Sequence, residues 1–103
     1  MPSEPLLNVL GQRRYNGIGH DGVRREVIVT IGQPSPDPRV GGDWSCVYRI
    51  QGIGNDLTSK AYGVDAIQAL WLTLRKVGIE LRHLMAARQM RLSWLDDDDL
   101  GLP

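Results

Sequence analysis

One cysteine, Cys46, and two histidines, His20 and His83, are all the sulfur and imidazole ligands the chain has. A lone thiol closes no internal disulfide and builds no multi-cysteine zinc site. It points to a reducing compartment. Net charge is absent as well. Asp96 to Asp99 hold four of the twelve acidic residues, which leaves the rest of the chain at +4. That excess is too small for a nucleic-acid footprint. No apolar run approaches the ~20 residues that span a bilayer. The start, Met1 to Leu10, is acidic rather than basic. Its apolar stretch, Leu6 to Leu10, is too short for a signal peptide. These absences predict a soluble cytoplasmic protein with neither nucleic acid nor membrane as partner. At 103 residues there is room for one core.

What is present divides into strands first and helix later. Gln12 to Gly19 reads as a first, weak strand. Gly19-His20-Asp21-Gly22 follows, and Asp-Gly between extended segments predicts a hairpin with a type I′ turn. Val23 to Ile31 is the clearest strand, with Val27, Val29 and Ile31 on one side. Gly32 to Gly42 carries prolines at 34, 36 and 38, and reads as a stiff surface loop outside any central ladder. Asp43 to Gln51 alternates again, with Trp44, Cys46, Tyr48 and Ile50 together. After the turn at Gly52 to Asp56, Leu57 to Tyr62 is the fourth strand. One face apolar and the other mixed predicts an antiparallel meander covered on one side only.

Asp65 begins a long amphipathic helix. It is a good N-cap, and Gln68 stands three positions on, as in a capping box. Ile67, Leu70, Trp71, Leu74, Val77, Leu81, Leu84 and Met85 form a stripe at helical spacing. A helix to about Gln89 is about 36 Å long, against about 27 Å for an eight-residue strand. It must overhang the sheet or break, and Gly78 is the weak point. Leu72, Ile79, Ala86 and Met90 lie roughly 100–140° from the main stripe. One sheet cannot cover both stripes. Either Leu92 to Leu95 folds back, or a second chain packs there.

Chemical groups are sparse. His20 and Asp21 are adjacent in a turn, where two side chains rarely meet one atom. His83 lies on the polar side of the helix without a partner at metal spacing. Cys46 shares an apolar strand face, the setting of a packing thiol rather than a reactive one. Gly17-Ile-Gly-His-Asp-Gly22 and Gly52-Ile-Gly54 resemble phosphate loops only in their glycines, because no helix N-terminus follows either. Asp96 to Asp99 are consecutive, whereas calcium loops alternate their ligands. The run reads as a solvated tail. Arg13, Arg14, Arg24 and Arg25 flank the first hairpin and read as a solvated edge that discourages strand pairing.

Taken as a set, several of these pieces resemble one family. They are Gly42-Asp43-Trp44-Ser45-Cys46 with Tyr48-Arg49-Ile50, Gly52-Ile53-Gly54, Tyr62-Gly63-Val64-Asp65 with Gln68-Ala69-Leu70, and Trp94-Leu95. The chain resembles an uncharacterised family of small bacterial proteins, a domain of unknown function, over about Arg24 to Leu95. The resemblance implies a bacterial, stand-alone domain with the same strand-then-helix order. It supplies no catalytic residues. The segment before Arg24 and the aspartate run lie outside it.

The expected fold is α+β: a four-stranded, mainly antiparallel sheet with one C-terminal helix across one face, a two-layer sandwich. Residues 1–95 are the domain and 96–103 an acidic tail. The expected function is a non-enzymatic protein-interaction or self-associating module, partnered by another chain or by itself as a homodimer. Its surface would include Leu72, Ile79, Ala86 and Met90. One alternative is a small-ligand binder or enzyme with a pocket between sheet and helix near Trp44, Tyr48 and Tyr62. Another is an antagonist of a toxin or other protein, motivated by the aspartate run. No catalytic or metal-ligating set and no cofactor is assigned.

Overall fold

Residues 8–37 and 43–103 are described by a computed structural model. The expected readings of Met1 to Leu7, and of the loop from Pro38 to Gly42, fall outside the described residues. β1 (Val9–Gly19) and β2 (Arg24–Gly32) form an antiparallel hairpin with Tyr15 opposite Val27. Its turn is not type I′, because Gly22 alone within it takes a positive φ, of 77°. Gly19 N donates to Val23 O at 3.1 Å and Gly22 N donates to Gly19 O at 2.9 Å. This is a three-residue loop closed by a glycine bulge. Asp21 steadies it by accepting from Val23 N at 3.0 Å. That bond, with Arg25 nearby, holds the Asp21 carboxyl below its ordinary pKa.

β4 (Trp44–Gln51) pairs with β5 (Leu57–Gly63) along one edge. Its other edge meets β2 through Tyr48 to Gln51 and the short β3 (Ser35–Pro36) through Trp44 and Ser45. α1 (Ala66–Arg88) follows, and β6 (Met90–Ser93) returns to pair with Asn16 to Gly19 of β1. Every one of these pairings is antiparallel. The sheet therefore has six strands rather than four. β3 lies in the loop expected to stay out of the sheet. It is two residues long, and Pro36 sits at its end, where a missing N–H takes little from the ladder. β6 is too short to show a period of its own.

The helix-facing side of the sheet holds the core: Val27, Val29 and Ile31, then Cys46, Tyr48 and Ile50, with Tyr15, Met90 and Leu92. The alternation in β2 and β4 places these residues as expected. Asp65 Oδ1 accepts from Gln68 N at 2.8 Å. Gln68 Oε1 reaches back to Val64 N at 2.7 Å, one residue earlier than a reciprocal capping box. The helix ends at Gln89, which adopts a left-handed φ of 51°.

α1 does not break at Gly78. A methyl group there would stand 3.5 Å from the Arg82 guanidinium and from Pro103 O, which is ordinary contact. Gly78→Ala is therefore expected to raise stability by about 0.5–1 kcal/mol, the helix-propensity difference. A urea titration of both proteins measures it.

The buried seam of α1 overlaps the expected stripe but is centred to one side of it. Val77 and Leu81 are buried and Leu70, Leu74, Leu84 and Met85 pack half-buried on the core, whereas Ile67 and Trp71 face solvent. The seam runs through Ala69, Thr73, Val77 and Leu81, while Ile67 is 80% exposed and Trp71 about half exposed. The face is rotated by roughly 50° from the stripe of large residues. The cause is at Gly63, where a Cβ would collide with the backbone of Gln68 and Ala69. A helix this close to β5 admits only small side chains at the contact. Thr73 fits by donating its hydroxyl to Cys46 O at 3.2 Å.

Part of the remaining space on this face is filled by the chain after β6. Trp94 and Asp97 exchange backbone hydrogen bonds of 2.9 and 3.0 Å. Leu95 and Asp96 between them take φ of 53° and 63°, the geometry of a type I′ turn. Asp97 Oδ1 then accepts from Asp99 N, and Asp99 Oδ1 from Gly101 N. Those bonds bend the chain back so that Leu100 is buried and Leu102 packs beside it. The expected solvated tail at 96–103 is thus corrected. Its aspartates are exposed, but two of them shape turns that carry a core residue.

Candidate functional site

The residues of the expected partner surface do not form one patch. Ile79 is 54% exposed and Ala86 is exposed, whereas Leu72 is half-buried. Met90 lies off the helix, in β6, and is buried against Gly17. The fold-back of the segment containing Leu92 pairs with β1 and leaves the outer helix stripe uncovered.

The expected pocket residues do not converge either. Tyr48 is fully buried and Trp44 half-buried against the core. Tyr62 pairs across from Ser45, on the opposite face of the sheet, with Lys60 Nζ 5.8 Å from its ring centre. Burial pushes the Tyr48 hydroxyl above its ordinary pKa. That hydroxyl makes no hydrogen bond of good geometry among the described residues, although the Ser59 hydroxyl is near enough to offset part of the shift. Ser59, its cross-strand neighbour, accepts from Lys76 Nζ at 3.3 Å. Removing a buried hydroxyl that is poorly bonded relieves more desolvation penalty than it loses in bonding. Tyr48→Phe is expected to gain about 1 kcal/mol by thermal unfolding; a loss would mean the hydroxyl is bonded.

Cys46 is fully buried and its thiol donates to Gly32 O at 3.3 Å. Burial raises its pKa, as suits a packing thiol. His20 and Asp21 line an open cleft of about 430 Å³ at one end of the sheet, with Arg25, Gly52, Gly54 and Arg88. Both glycine motifs meet in this cleft. Gly52 has a structural reason, since a side chain there would strike Glu26 O. Among the described residues no group of three or more His, Cys, Asp or Glu is placed to hold a metal ion.

The arginines of the first hairpin do not form a basic patch. Arg14 pairs with Glu26 at 2.7 Å, and Arg25 lies 3.6 Å from Asp21. Arg13 lies on the inner face, with its guanidinium 3.8 Å from the Trp94 ring centre. It donates to Leu100 O at 3.2 Å and Gly101 O at 3.0 Å. Tyr15 donates to the same Leu100 carbonyl at 2.8 Å.

An open feature lies beside these contacts. Gly19 bonds across the hairpin, so alternation turns the N–H and C=O groups of Gly17, Tyr15 and Arg13 toward β2. Those of Ile18, Asn16, Arg14 and Gln12 turn the other way. β6 covers Ile18 and Asn16 and stops there. Among the described residues no strand lies along Val9 to Tyr15 on that side. Over this open stretch lies an apolar groove of about 270 Å³, lined by Leu10, Gly11, Tyr15, Leu70, Leu74 and Leu102. A Cβ on Gly11 would meet nothing within 4 Å. Sequence reasoning began β1 at Gln12 and so missed this edge. The apolar Val9-Leu10 pair was the available signal.

Fold and site together define a small α+β domain, one helix packed on an antiparallel sheet, in which part of the β1 edge is unpaired among the described residues. The chain belongs to the family described as a domain of unknown function, DUF6968, whose model matches residues 12–103. The match takes in the first hairpin and the aspartate run, beyond the Arg24 to Leu95 of the sequence resemblance. No curated protein and no solved structure matches the chain. Among the described residues no helix is long and apolar enough to cross a membrane.

Proposed function

We propose that this domain is a protein-interaction module that takes up an extended polypeptide strand along the open edge of β1. The observation behind this reading is the backbone of Gln12 and Arg14, unpaired among the described residues and directly beside an apolar groove. In strand addition, main-chain hydrogen bonds supply affinity and a groove accepts side chains of the added strand. The exposed Val9 and Leu10, about half accessible each, mark the same place. On this reading the sheet and the covering helix act as a two-layer sandwich that holds the edge rigid. The interaction surface moves from the outer helix stripe to the sheet. The antagonist alternative loses its motive, since Asp97 and Asp99 serve the protein's own turns.

The test exploits the direction of one N–H. Gln12 N–H points away from β2, so Gln12→Pro removes an edge donor without breaking the hairpin ladder. Partner capture from the native host should fall sharply for the Gln12→Pro protein, provided its circular dichroism is native. Equal capture by both proteins would sink the proposal.

A further inference from the structure

The open edge is complementary to itself, and we infer that its partner strand is β1 of a second copy of this chain, paired antiparallel about a two-fold axis at Gln12. This inference rests on the strand-addition reading and names the strand. The uncovered stretch runs from Val9, where the strand begins, to Tyr15, the last residue before β6 takes over. Its midpoint is Gln12. An axis there pairs Gly11 to Arg13 regularly with their copies, with the register shift between Val9 and Gly11 at each end, and leaves Asn16 and its β6 partner Ser93 untouched.

The ends of the stretch fit this register. Asn8 adopts a φ of 57°, in the left-handed region, so it is not itself part of an extended strand. The incoming strand therefore stops opposite Tyr15, where β6 begins to claim the edge.

Side-chain chemistry selects the same axis. With Gln12 opposite its copy, Arg13 faces Gly11 and Arg14 faces Leu10. No arginine meets an arginine. An axis at Arg13 would set two guanidiniums directly across from each other, which is unfavourable. Arg13 is in any case held inward by Trp94 and the Leu100 and Gly101 carbonyls, and Arg14 is neutralised by Glu26. Gly11 leaves room above the strand for the groove to be closed by the partner. The interface would be isologous, the commonest form of closed dimer.

A charge swap at the axis provides the test, because a residue on a two-fold axis meets itself. Gln12→Glu puts like charges in contact in the dimer, and so does Gln12→Lys. In the monomer both replace the Gln12 Nε2 hydrogen bond to Thr30 Oγ1, of 2.9 Å, and Arg14 stands two residues along the same face. The mixture, in which only the pairing across the axis changes, is therefore the deciding arm. Sedimentation equilibrium of the wild-type protein should show a monomer–dimer equilibrium. Each variant alone should self-associate roughly tenfold or more weakly, and an equimolar mixture of the two should recover the dimer. As a second measurement independent of any variant, the wild-type amides of Gln12 and Arg14 should exchange with solvent more slowly as protein concentration rises. A wild-type protein that stays monomeric, or a dimer equally strong in both variants and the mixture, overturns the inference. If the wild type is monomeric yet Gln12→Pro still loses a captured partner, self-pairing falls and the strand-addition reading stands. If Gln12→Pro changes neither, both fall.

Discussion

Replacing Gly52 by alanine is expected to destabilise the protein by about 3–5 kcal/mol, the largest effect of any single methyl group considered. Two penalties coincide at this residue. Its φ of 97° is a conformation that residues with a Cβ avoid. The added methyl would also collide with Glu26 O and the backbone at Val27 of β2. Backbone atoms of a paired strand cannot move aside as a side chain can. Gly54 supplies the control. It also takes a positive φ, of 66°, but a methyl group there meets only the flexible end of Arg88. Gly54→Ala should cost about 1 kcal/mol. Urea midpoints of the two variants, side by side, separate strain from collision. Equal losses would show that φ alone matters.

Deleting Leu100 to Pro103 is expected to cost about 3–4 kcal/mol. The deletion removes a buried leucine from the face of β1 and the half-buried Leu102 from the groove. It also removes the carbonyls that receive Tyr15 and Arg13. Burial already pushes the Tyr15 hydroxyl above its ordinary pKa, and losing its acceptor would leave it unpaired. For a domain of this size the melting temperature should fall by roughly 12–25 °C. A solvated acidic tail would make the same deletion silent, so one melting curve decides between the two pictures.

The strands with clean alternation were legible because burial acts on every second residue. In β2 and β4 the expected faces, Val27-Val29-Ile31 and Trp44-Cys46-Tyr48-Ile50, are the observed ones. The helix cap at Asp65 was legible because capping is a local bond between neighbours in sequence. The helix face was legible in part: six of the eight stripe residues touch the core, but the centre of the buried seam was not foreseen. Counting large apolar residues assumes that a helix buries its bulk, but close approach at Gly63 reverses this and favours Ala69 and Thr73. The aspartate run misled for a related reason. Its composition is that of a solvated segment, yet carboxylates of Asp97 and Asp99 also bond to backbone N–H groups two residues on.

The candidate site was less legible than the fold. The outer helix stripe and the tyrosine pair were chosen as residues of the right type. The open edge of β1 is defined by what does not pair with it, and pairing is a property of distant segments. Sequence by itself determined the elements whose causes are local: alternating strands, a turn at Asp-Gly, a capped helix after Asp65, and a thiol in an apolar face. Tertiary structure decided the order of six strands, the side the helix presents, the burial of Leu100 and the length of β1 left uncovered. Each depends on which backbones approach each other, and that is settled by contacts between residues far apart in the chain.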